Sequence, residues 1–315
     1  MSALTQGNET PGPAPAAPLK DNDTRLLTDS VSEIFAFLRE AWQLGQRCAL
    51  VTLVEIVGHT ARPLGTHMAV REDGNSCGFV SGGCVEGAVT GEALAAIAAG
   101  ADRLCRFGKG SPFFDIVLPC GGGLCLSIHV LRSPAGIIAI LDGFAARRPR
   151  SLVYDPAGQS LSVRDGAART GWRDGRFLIV YRPPLRVLLS GTGLEAVRFA
   201  AIASGAGVEV IHLAANRAFP DADAATAIVL MHHDIEGELP VLRRALQGNA
   251  FYIGCLGSRR THAVRASKLM RDGFTAAQLD RIHAPIGLFG PARDARSIAV
   301  SVLAQILALS GQPSD

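Results

Sequence analysis

Residues 186–196 read RVLLSGTGLEA and decide the fold of the second half of the chain. An apolar stretch of strand length, Arg186–Ser190, leads into the turn Gly191-Thr192-Gly193. Apolar residues at helical spacing follow from Leu194 to Ser204. A strand, a tight glycine turn and a helix in this order are typical of the first unit of a parallel α/β sheet.

The same alternation continues towards the end of the chain. It predicts the strands 208–213, 227–231 and 251–254, and helices at 239–247 and at about 260–272, 275–282 and 294–309. Repeated strand–helix units predict a Rossmann-like, doubly wound parallel sheet. The stiff pair Pro183-Pro184 precedes this pattern, so we expect a domain covering 183–315.

The first half has a different pattern and predicts an α+β domain over 28–182 that includes a connecting segment. Residues 1–27 are rich in Pro, Ala and Gly, and are expected to be a disordered tail. Beyond them we predict a helix capped by Ser30, a strand at 48–57 and a helix at 85–99 that Gly100 ends. Further strands are expected near 104–107 and 124–130.

Composition excludes several classes of protein. The 315 residues carry 31 basic and 28 acidic side chains, and the net charge of +3 gives no reason to expect nucleic acid or a membrane surface as a partner. No uninterrupted apolar run approaches the ~18 residues of a membrane span. The start of the chain lacks the apolar segment of a secretory signal, and seven cysteines, an odd number, do not suggest a disulfide framework. We therefore expect a soluble, cytoplasmic protein with reduced thiols.

Two cysteine–glycine loops are the strongest candidates for chemistry. The first, Ser81-Gly82-Gly83-Cys84, stands just ahead of a predicted helix that has Glu86 in its first turn. Helix N-termini stabilise thiolates and carboxylates and offer free N–H groups to anions. The second is Cys120-Gly121-Gly122-Gly123, again a soft ligand beside exposed backbone. Together they predict a ligand site that uses Cys84 and Cys120.

Other residue patterns favour structural interpretations. Cys48, Cys105, Cys125 and Cys255 lie in apolar, strand-like stretches and are expected in the core. The cysteine spacings lack the paired Cys-x-x-Cys pattern of zinc sites. His232-His233 is read as a polar strand end, because neighbouring residues on a strand point to opposite faces. The sequence contains neither Gly-x-Ser-x-Gly nor His-Glu-x-x-His, so no hydrolase signature is present.

Two further segments are candidate anion sites in the second half. Gly191 and Gly193 form the turn of a nucleotide-binding motif, but the segment expected to carry a ribose-binding carboxylate, Leu213-Ala214-Ala215-Asn216, has none, which leaves nucleotide binding open. Ser258 can cap a helix whose free N–H groups, with Arg259, would hold a phosphate or carboxylate. The alternative is an ordinary helix start with solvated arginines.

Taken together, these segments resemble the XdhC/CoxI family, the xanthine dehydrogenase accessory factors, over roughly 30–310. The motifs that carry the resemblance occur in the family's order: Arg62-Pro63-x-Gly65, Ser81-Gly82-Gly83-Cys84-Val85-Glu86, Cys120-Gly121-Gly122, Tyr252-Ile253-Gly254, Gly257-Ser258-Arg259-Arg260, Pro285-Ile286-Gly287-Leu288 and Ile298-Ala299-Val300-Ser301. Within the last helix the family commonly carries Ala-Glu, where this chain has Ala304-Gln305.

The resemblance implies a chaperone without turnover of its own. Such a protein would bind the molybdenum cofactor (molybdopterin), assist its sulfuration with a cysteine desulfurase, and insert it into the apoenzyme of a xanthine dehydrogenase-type molybdenum hydroxylase. Cys84 and Cys120 would contact the cofactor and its molybdenum, and its pterin phosphate would lie at glycine-loop N–H groups or near Arg259. A homodimer is also implied. The alternatives are an NAD(P)- or flavin-dependent oxidoreductase and a non-catalytic scaffold.

Overall fold

The protein is described by a computed structural model that covers residues 19–21, 25–60, 62–109, 121–166, 169–213 and 219–310. The chain divides into two compact units, and the division falls between Pro183 and Pro184. Among the described residues, none of the helices has the length and apolar character that crossing a membrane requires.

The N-terminal unit is built on a seven-stranded mixed sheet. Its strand order is β1-β2-β5-β4-β3-β7-β6. All neighbours are antiparallel except β2 and β5. The strands are β1 (Leu19–Asp21), β2 (Arg25–Leu27), β3 (Cys48–Val57), β4 (His67–Arg71), β5 (Ser76–Gly78), β6 (Arg103–Gly108) and β7 (Gly123–Val130).

Helices cover both faces of this sheet. α1 (Val31–Gln43) begins at Ser30, whose side chain accepts a hydrogen bond from the N–H of Glu33. α2 (Glu86–Ala99) ends at Gly100, which has the left-handed conformation that glycine adopts without strain. The apolar side of α1 shares one core with Leu50 and Val54, whereas α2 packs against the opposite face.

A smaller antiparallel sheet completes the N-terminal unit. Its order is β10-β11-β8-β9. The elements are α3 (Ala135–Ala145), β8 (Arg150–Asp155), β9 (Ser160–Arg164), β10 (Gly171–Arg173) and β11 (Arg176–Tyr181). Ile137 of α3, Leu152 of β8 and Phe177 of β11 are fully buried in the core that α1 also joins. The unit is therefore α+β, as predicted.

The C-terminal unit is a five-stranded parallel sheet with the order β13-β12-β14-β15-β16. Its elements are β12 (Arg186–Ser190), α4 (Leu194–Gly205), β13 (Glu209–His212), β14 (Thr226–Leu230), α5 (Ile235–Gln247), β15 (Tyr252–Cys255), α6 (Arg259–Arg271), α7 (Ala276–Leu279), β16 (Ile282–His283) and α8 (Ala295–Ser310). Helices α4 and α8 share one core, and α5 and α6 share another on the opposite face. The predicted doubly wound sheet is confirmed. Strand β13 is added on one side of β12, whereas β14 and the later strands are added on the other, so the topological switch point, where such sheets bind ligands, lies between β12 and β14.

Two segments differ from the sequence-based expectations. Strands β1 and β2 lie within residues 1–27, which were expected to be a disordered tail; the remainder of that segment lies outside the described residues. The reason for β2 is its pairing, which aligns Leu26 with Cys77 and packs Leu26 against the core. Helix α5 begins four residues earlier than predicted because Asp234 caps it, accepting from the N–H groups of Glu236 and Gly237.

Candidate functional site

Three connections leave the large sheet at the same end. Val57 at the end of β3 lies opposite Gly123 at the start of β7, and Gly123 lies opposite Gly108 at the end of β6. Strand β5 ends at Gly78, opposite the start of β4. The connections 58–66 and 79–85 therefore start or finish at one end of this sheet, as do Lys109 and Gly122 on either side of the second loop. This end carries the first cysteine–glycine loop and the described part of the second, Gly121 and Gly122.

The first loop presents a free thiol to solvent. Gly82, Gly83 and Cys84 are exposed, whereas Ser81 and Val85 on either side are buried. A side-chain atom added at Gly82 or Gly83 would meet nothing within 4 Å. Cys84 is the exposed one among the described free cysteines. The tip of this loop is thus open to a ligand or partner, with Cys84 at the position where α2 is about to begin.

Glu86 stabilises the first loop from the interior of the unit. Its side chain is fully buried, and its carboxylate accepts hydrogen bonds from the N–H groups of Val80 (3.2 Å), Ser81 (2.7 Å) and Val85 (3.2 Å). Burying a carboxylate is tolerated only where donors of this kind surround it. We refer to the carboxylate of Glu86, the hydroxyl of Ser81 and the backbone they bind as the Ser81–Glu86 clasp.

The hydroxyl of Ser81 extends the clasp to the cysteine. It donates to the Glu86 carboxylate at 2.8 Å and accepts from the N–H groups of Gly83 and Cys84, both at 3.2 Å. Hydrogen bonds within the loop therefore already engage the N–H groups of Val80, Ser81, Gly83, Cys84 and Val85. Glu86, which the sequence analysis placed among the cofactor contacts, has a fully buried side chain that binds the loop itself. What the loop offers to a ligand is the Cys84 thiol.

The second loop is described only in part. Cys120 lies outside the described residues, so its predicted role stays a prediction. Gly121 has a φ of +66°, which favours glycine. A Cβ at Gly122 would stand 2.6 Å from the carbonyl oxygen of His59 and 2.8 Å from that of Val57. Gly122 is thus required for the close packing of this loop against the connection that follows β3.

The other described cysteines are buried, as predicted for Cys48, Cys105, Cys125 and Cys255. Burial raises the pKa of the Cys48 and Cys105 thiols to about 11 and that of Cys255 to about 12. Cys77 is also buried, and burial raises its pKa to about 12. These thiols stay protonated at neutral pH and act as small apolar side chains.

The sequence analysis named Arg62 only as part of a motif and did not single out His67, yet both lie close to the first loop. The guanidinium of Arg62 stacks 3.9 Å from the ring centroid of Phe79, immediately before the clasp. Arg62 also lines a cavity of about 340 Å³ whose inner wall includes His67 and Tyr181. His67 bonds to Tyr181 (2.5 Å) and Thr52 (3.0 Å), and burial lowers its pKa to about 4, so the imidazole is neutral. Spacing gives no signal for this cluster, because its members are far apart in sequence.

In the C-terminal unit, the turn before α4 is tightly packed. A Cβ at Gly191 would lie 2.4 Å from the carbonyl oxygen of Met231, so the turn presses against the end of β14. Side chains also cover the Cα of Gly193. A Cβ there would lie 3.1 Å from a Glu195 carboxylate oxygen and 3.4 Å from His233. His233 in turn lies 3.4 Å from Glu195. A carboxylate therefore stands where a dinucleotide phosphate usually binds.

A solvent-open crevice of about 700 Å³ runs along the carboxyl edge of this sheet. Its polar lining includes Glu195 and His233 on one side and Ser258 and Arg259 on the other. Ser258 caps α6 by accepting from the N–H of Thr261, and Arg259 is exposed. The structure thus brings the predicted residues Gly193, Ser258 and Arg259 to one edge of the sheet.

The wall of the crevice is fixed to α8. The hydroxyl of Ser301 donates to the carbonyl of Phe289 at 2.7 Å and accepts from its N–H at 2.9 Å. Gln305 accepts from the N–H of Gly287 (2.8 Å) and from the hydroxyl of Tyr252 (2.6 Å). One amide oxygen thus serves both donors, and Gln305 joins α8 to this wall of the crevice.

The two neighbouring histidines, His232 and His233, have different partners. The side chain of His232 bonds to the hydroxyl of Ser190 at 2.7 Å, and burial lowers its pKa. His233 instead faces Glu195. Over the part of the chain that is described, no three His, Cys, Asp or Glu side chains are grouped so as to hold a metal ion.

Comparisons with known proteins agree with this architecture. Residues 41–108 match the XdhC and CoxI family, and residues 187–306 match the XdhC Rossmann domain. The chain is 46% identical over 282 residues to the molybdenum cofactor insertion chaperone PaoD of Escherichia coli K12, covering 89% of each protein. It is 28% identical to the uncharacterized Escherichia coli protein YqeB over 83% of this chain but only 44% of that one.

A solved structure shares the fold. A crystal structure described as a xanthine dehydrogenase from Bacillus halodurans superposes with a TM-score of 0.69, covering 89% of this chain and 95% of that one at 18% identity. At that identity the likeness shows the fold alone. The matches to both family domains, together with 46% identity to a relative over 89% of each chain, lead to one conclusion. The chain belongs to the XdhC and CoxI family.

Proposed function

We propose that this protein binds the molybdenum cofactor and acts as a chaperone for its insertion into a molybdenum enzyme. The observation that carries the proposal is the 46% identity to a molybdenum cofactor insertion chaperone over 89% of both chains. The exposed thiol of Cys84, on a loop held by hydrogen bonds, supports it, because a thiolate can bind a molybdenum–sulfur centre.

The chemistry of the loop suits this cargo. Thiolates are soft ligands that bind transition metals and their sulfur-containing centres. The clasp fixes the backbone on both sides of Cys84, so the thiol is held in place before the ligand arrives. Such preorganisation lowers the entropy lost on binding. Cys84 is therefore the proposed cofactor contact, Cys120 its proposed second contact, and Ser81 and Glu86 are positioning residues.

The finer assignments extend the same proposal. We expect the client to be a molybdenum hydroxylase of the xanthine dehydrogenase type. The cofactor would be sulfurated while the chaperone holds it, with a cysteine desulfurase as the sulfur source. The protein would work as a homodimer. Each of these expectations rests on membership of the family.

An oxidoreductase that uses the second unit is the weaker reading. Dinucleotide enzymes place the pyrophosphate at the helix that follows the Gly-x-Gly turn. Here Glu195 covers that turn with a negative charge. The geometry therefore disfavours a dinucleotide bound in the usual orientation, and we propose no catalytic role for this unit.

Transfer of the cofactor tests the proposal. The protein is purified without air from cofactor-replete cells and mixed with a cofactor-free molybdenum hydroxylase, whose recovered activity is measured. We expect recovery with the wild type and with Cys105→Ala, which removes a buried thiol, and a loss of roughly tenfold or more with Cys84→Ala. Full recovery with Cys84→Ala would remove Cys84 from the site, whereas no recovery with the wild type would refute the function.

A further inference from the structure

The crevice of the C-terminal unit has two ends of opposite character. At one end the first turn of α4 carries Glu195, whose carboxylate lies over Gly193 and beside His233. At the other end α6 has no acidic residue in its first turn and begins with the exposed Arg259 and Arg260. Of the two arginines, Arg259 lines the crevice. An anionic group is therefore favoured at α6 and opposed at α4.

The walls between these ends are apolar. They are formed by Leu256, Pro285, Ile286, Phe289 and Ile298. Phe289 is 52% exposed and Ile286 is partly buried, so both present apolar surface to a ligand. The volume of about 700 Å³ lies within the range of small-molecule sites. A heterocycle can pack against such apolar walls with its polar groups towards the two ends.

The carboxylate of Glu195 favours a heterocycle that has hydrogen-bond donors on the edge facing it. A carboxylate accepts two parallel hydrogen bonds from a pair of neighbouring N–H donors. The 2-amino-4-oxopyrimidine ring, which guanine and pterin share, has such a pair along one edge. His233 lies 3.4 Å from the same carboxylate.

We propose that the crevice binds a phosphate monoester of a heterocycle with a 2-amino-4-oxopyrimidine edge, with the phosphate at Ser258 and Arg259 and the heterocycle edge at Glu195. The phosphate of this ligand thus lies at α6, whereas a dinucleotide would place its pyrophosphate at the Gly-x-Gly turn before α4. Two sources share this chemistry: a free guanine nucleotide, and the pterin phosphate of the molybdenum cofactor. The second source rests on the function proposed above, whereas the first does not.

Calorimetry with GMP and guanosine tests the first source on the full chain. We expect GMP to bind the wild type more tightly than guanosine does, and Arg259→Ala to weaken GMP roughly tenfold or more. Arg260→Ala is the matched control, since Arg260 does not line the crevice, and should leave GMP binding unchanged. Glu195→Gln should weaken GMP and guanosine alike. Equal loss in both arginine variants would overturn the proposal.

Pterin content tests the second source on protein purified without air. If GMP does not bind, the proposal requires pterin to fall in Arg259→Ala and Glu195→Gln but not in Arg260→Ala. No GMP binding together with full pterin in Arg259→Ala would overturn it. If even the wild type lacks pterin, the chaperone proposal fails, and the GMP titration alone then decides: binding lost in Arg259→Ala supports the crevice site, and absence of binding refutes it.

Discussion

The two units each place a glycine loop and a glutamate at the start of a helix, yet the glutamates do different work. Glu86 in the first turn of α2 is fully buried and binds the backbone of its own loop. Glu195 in the first turn of α4 keeps about 21% of its side chain exposed and faces His233. The first glutamate stabilises a loop that presents a thiol, and the second leaves a charge facing an open crevice.

The difference shows that a first-turn carboxylate acquires its role from its surroundings. Ser81 supplies a hydroxyl and an N–H that draw Glu86 inward, while the loop before α4 offers Glu195 no comparable donors among the described contacts. The N-terminal loop is consequently rigid and already satisfied. The carboxylate of the C-terminal turn is partly exposed and accessible to a ligand.

Removing the Glu86 carboxylate should have the largest effect on stability. Glu86→Ala leaves the buried N–H groups of Val80, Ser81 and Val85 without their acceptor, and we expect the free energy of unfolding to fall by about 3 kcal/mol or more. Urea denaturation measures this. Cofactor retention should fall with it, because the loop that holds Cys84 loosens. Unchanged stability would mean that the clasp contributes nothing.

Removing the Ser81 hydroxyl should have a smaller effect. Ser81→Ala keeps the carboxylate but deletes the link between Glu86 and the N–H groups of Gly83 and Cys84. We expect a loss of about 1–2 kcal/mol in the free energy of unfolding, together with faster modification of Cys84 by a thiol reagent. A Ser81→Thr variant keeps the hydroxyl and serves as the control. A modification rate equal to that of the wild type would contradict the role of Ser81.

Removing Glu195 should have the smallest effect on stability. Its carboxylate is partly exposed and favours the N-terminus of α4 only through the helix dipole and His233. Glu195→Ala should change the free energy of unfolding by less than about 1 kcal/mol in the same urea experiment. A loss as large as that of Glu86→Ala would show that the two glutamates are structurally equivalent and that the comparison is wrong.

Most of the fold follows from periodicity and turn signals. The alternation after Pro184 correctly predicts a parallel sheet, and the predicted helix at 85–99 matches α2 (Glu86–Ala99). The buried states of Cys48, Cys105, Cys125 and Cys255 also follow from their apolar neighbours. These features depend on local sequence, which is why one sequence is enough to predict them.

The site is harder to predict from sequence because it depends on the directions in which side chains point. Glu86 was expected in the first turn of a helix as a candidate cofactor contact, but the donors that surround its buried carboxylate become visible only when Ser81 folds over it. The cluster of Thr52, His67 and Tyr181 joins two sheets across long stretches of chain. Opposite charges at the two ends of the crevice depend on the strand order, which sequence spacing does not give.

The pterin content of the protein tests the central claim most directly. The wild type, Cys84→Ala and the buried-thiol control Cys105→Ala are purified without air from cofactor-replete cells, and their pterin is quantified per chain. We predict near-stoichiometric pterin in the wild type and the control and a clear loss in Cys84→Ala. Equal pterin in all three would contradict the role of Cys84, and no pterin in any of them would contradict the binding of the molybdenum cofactor.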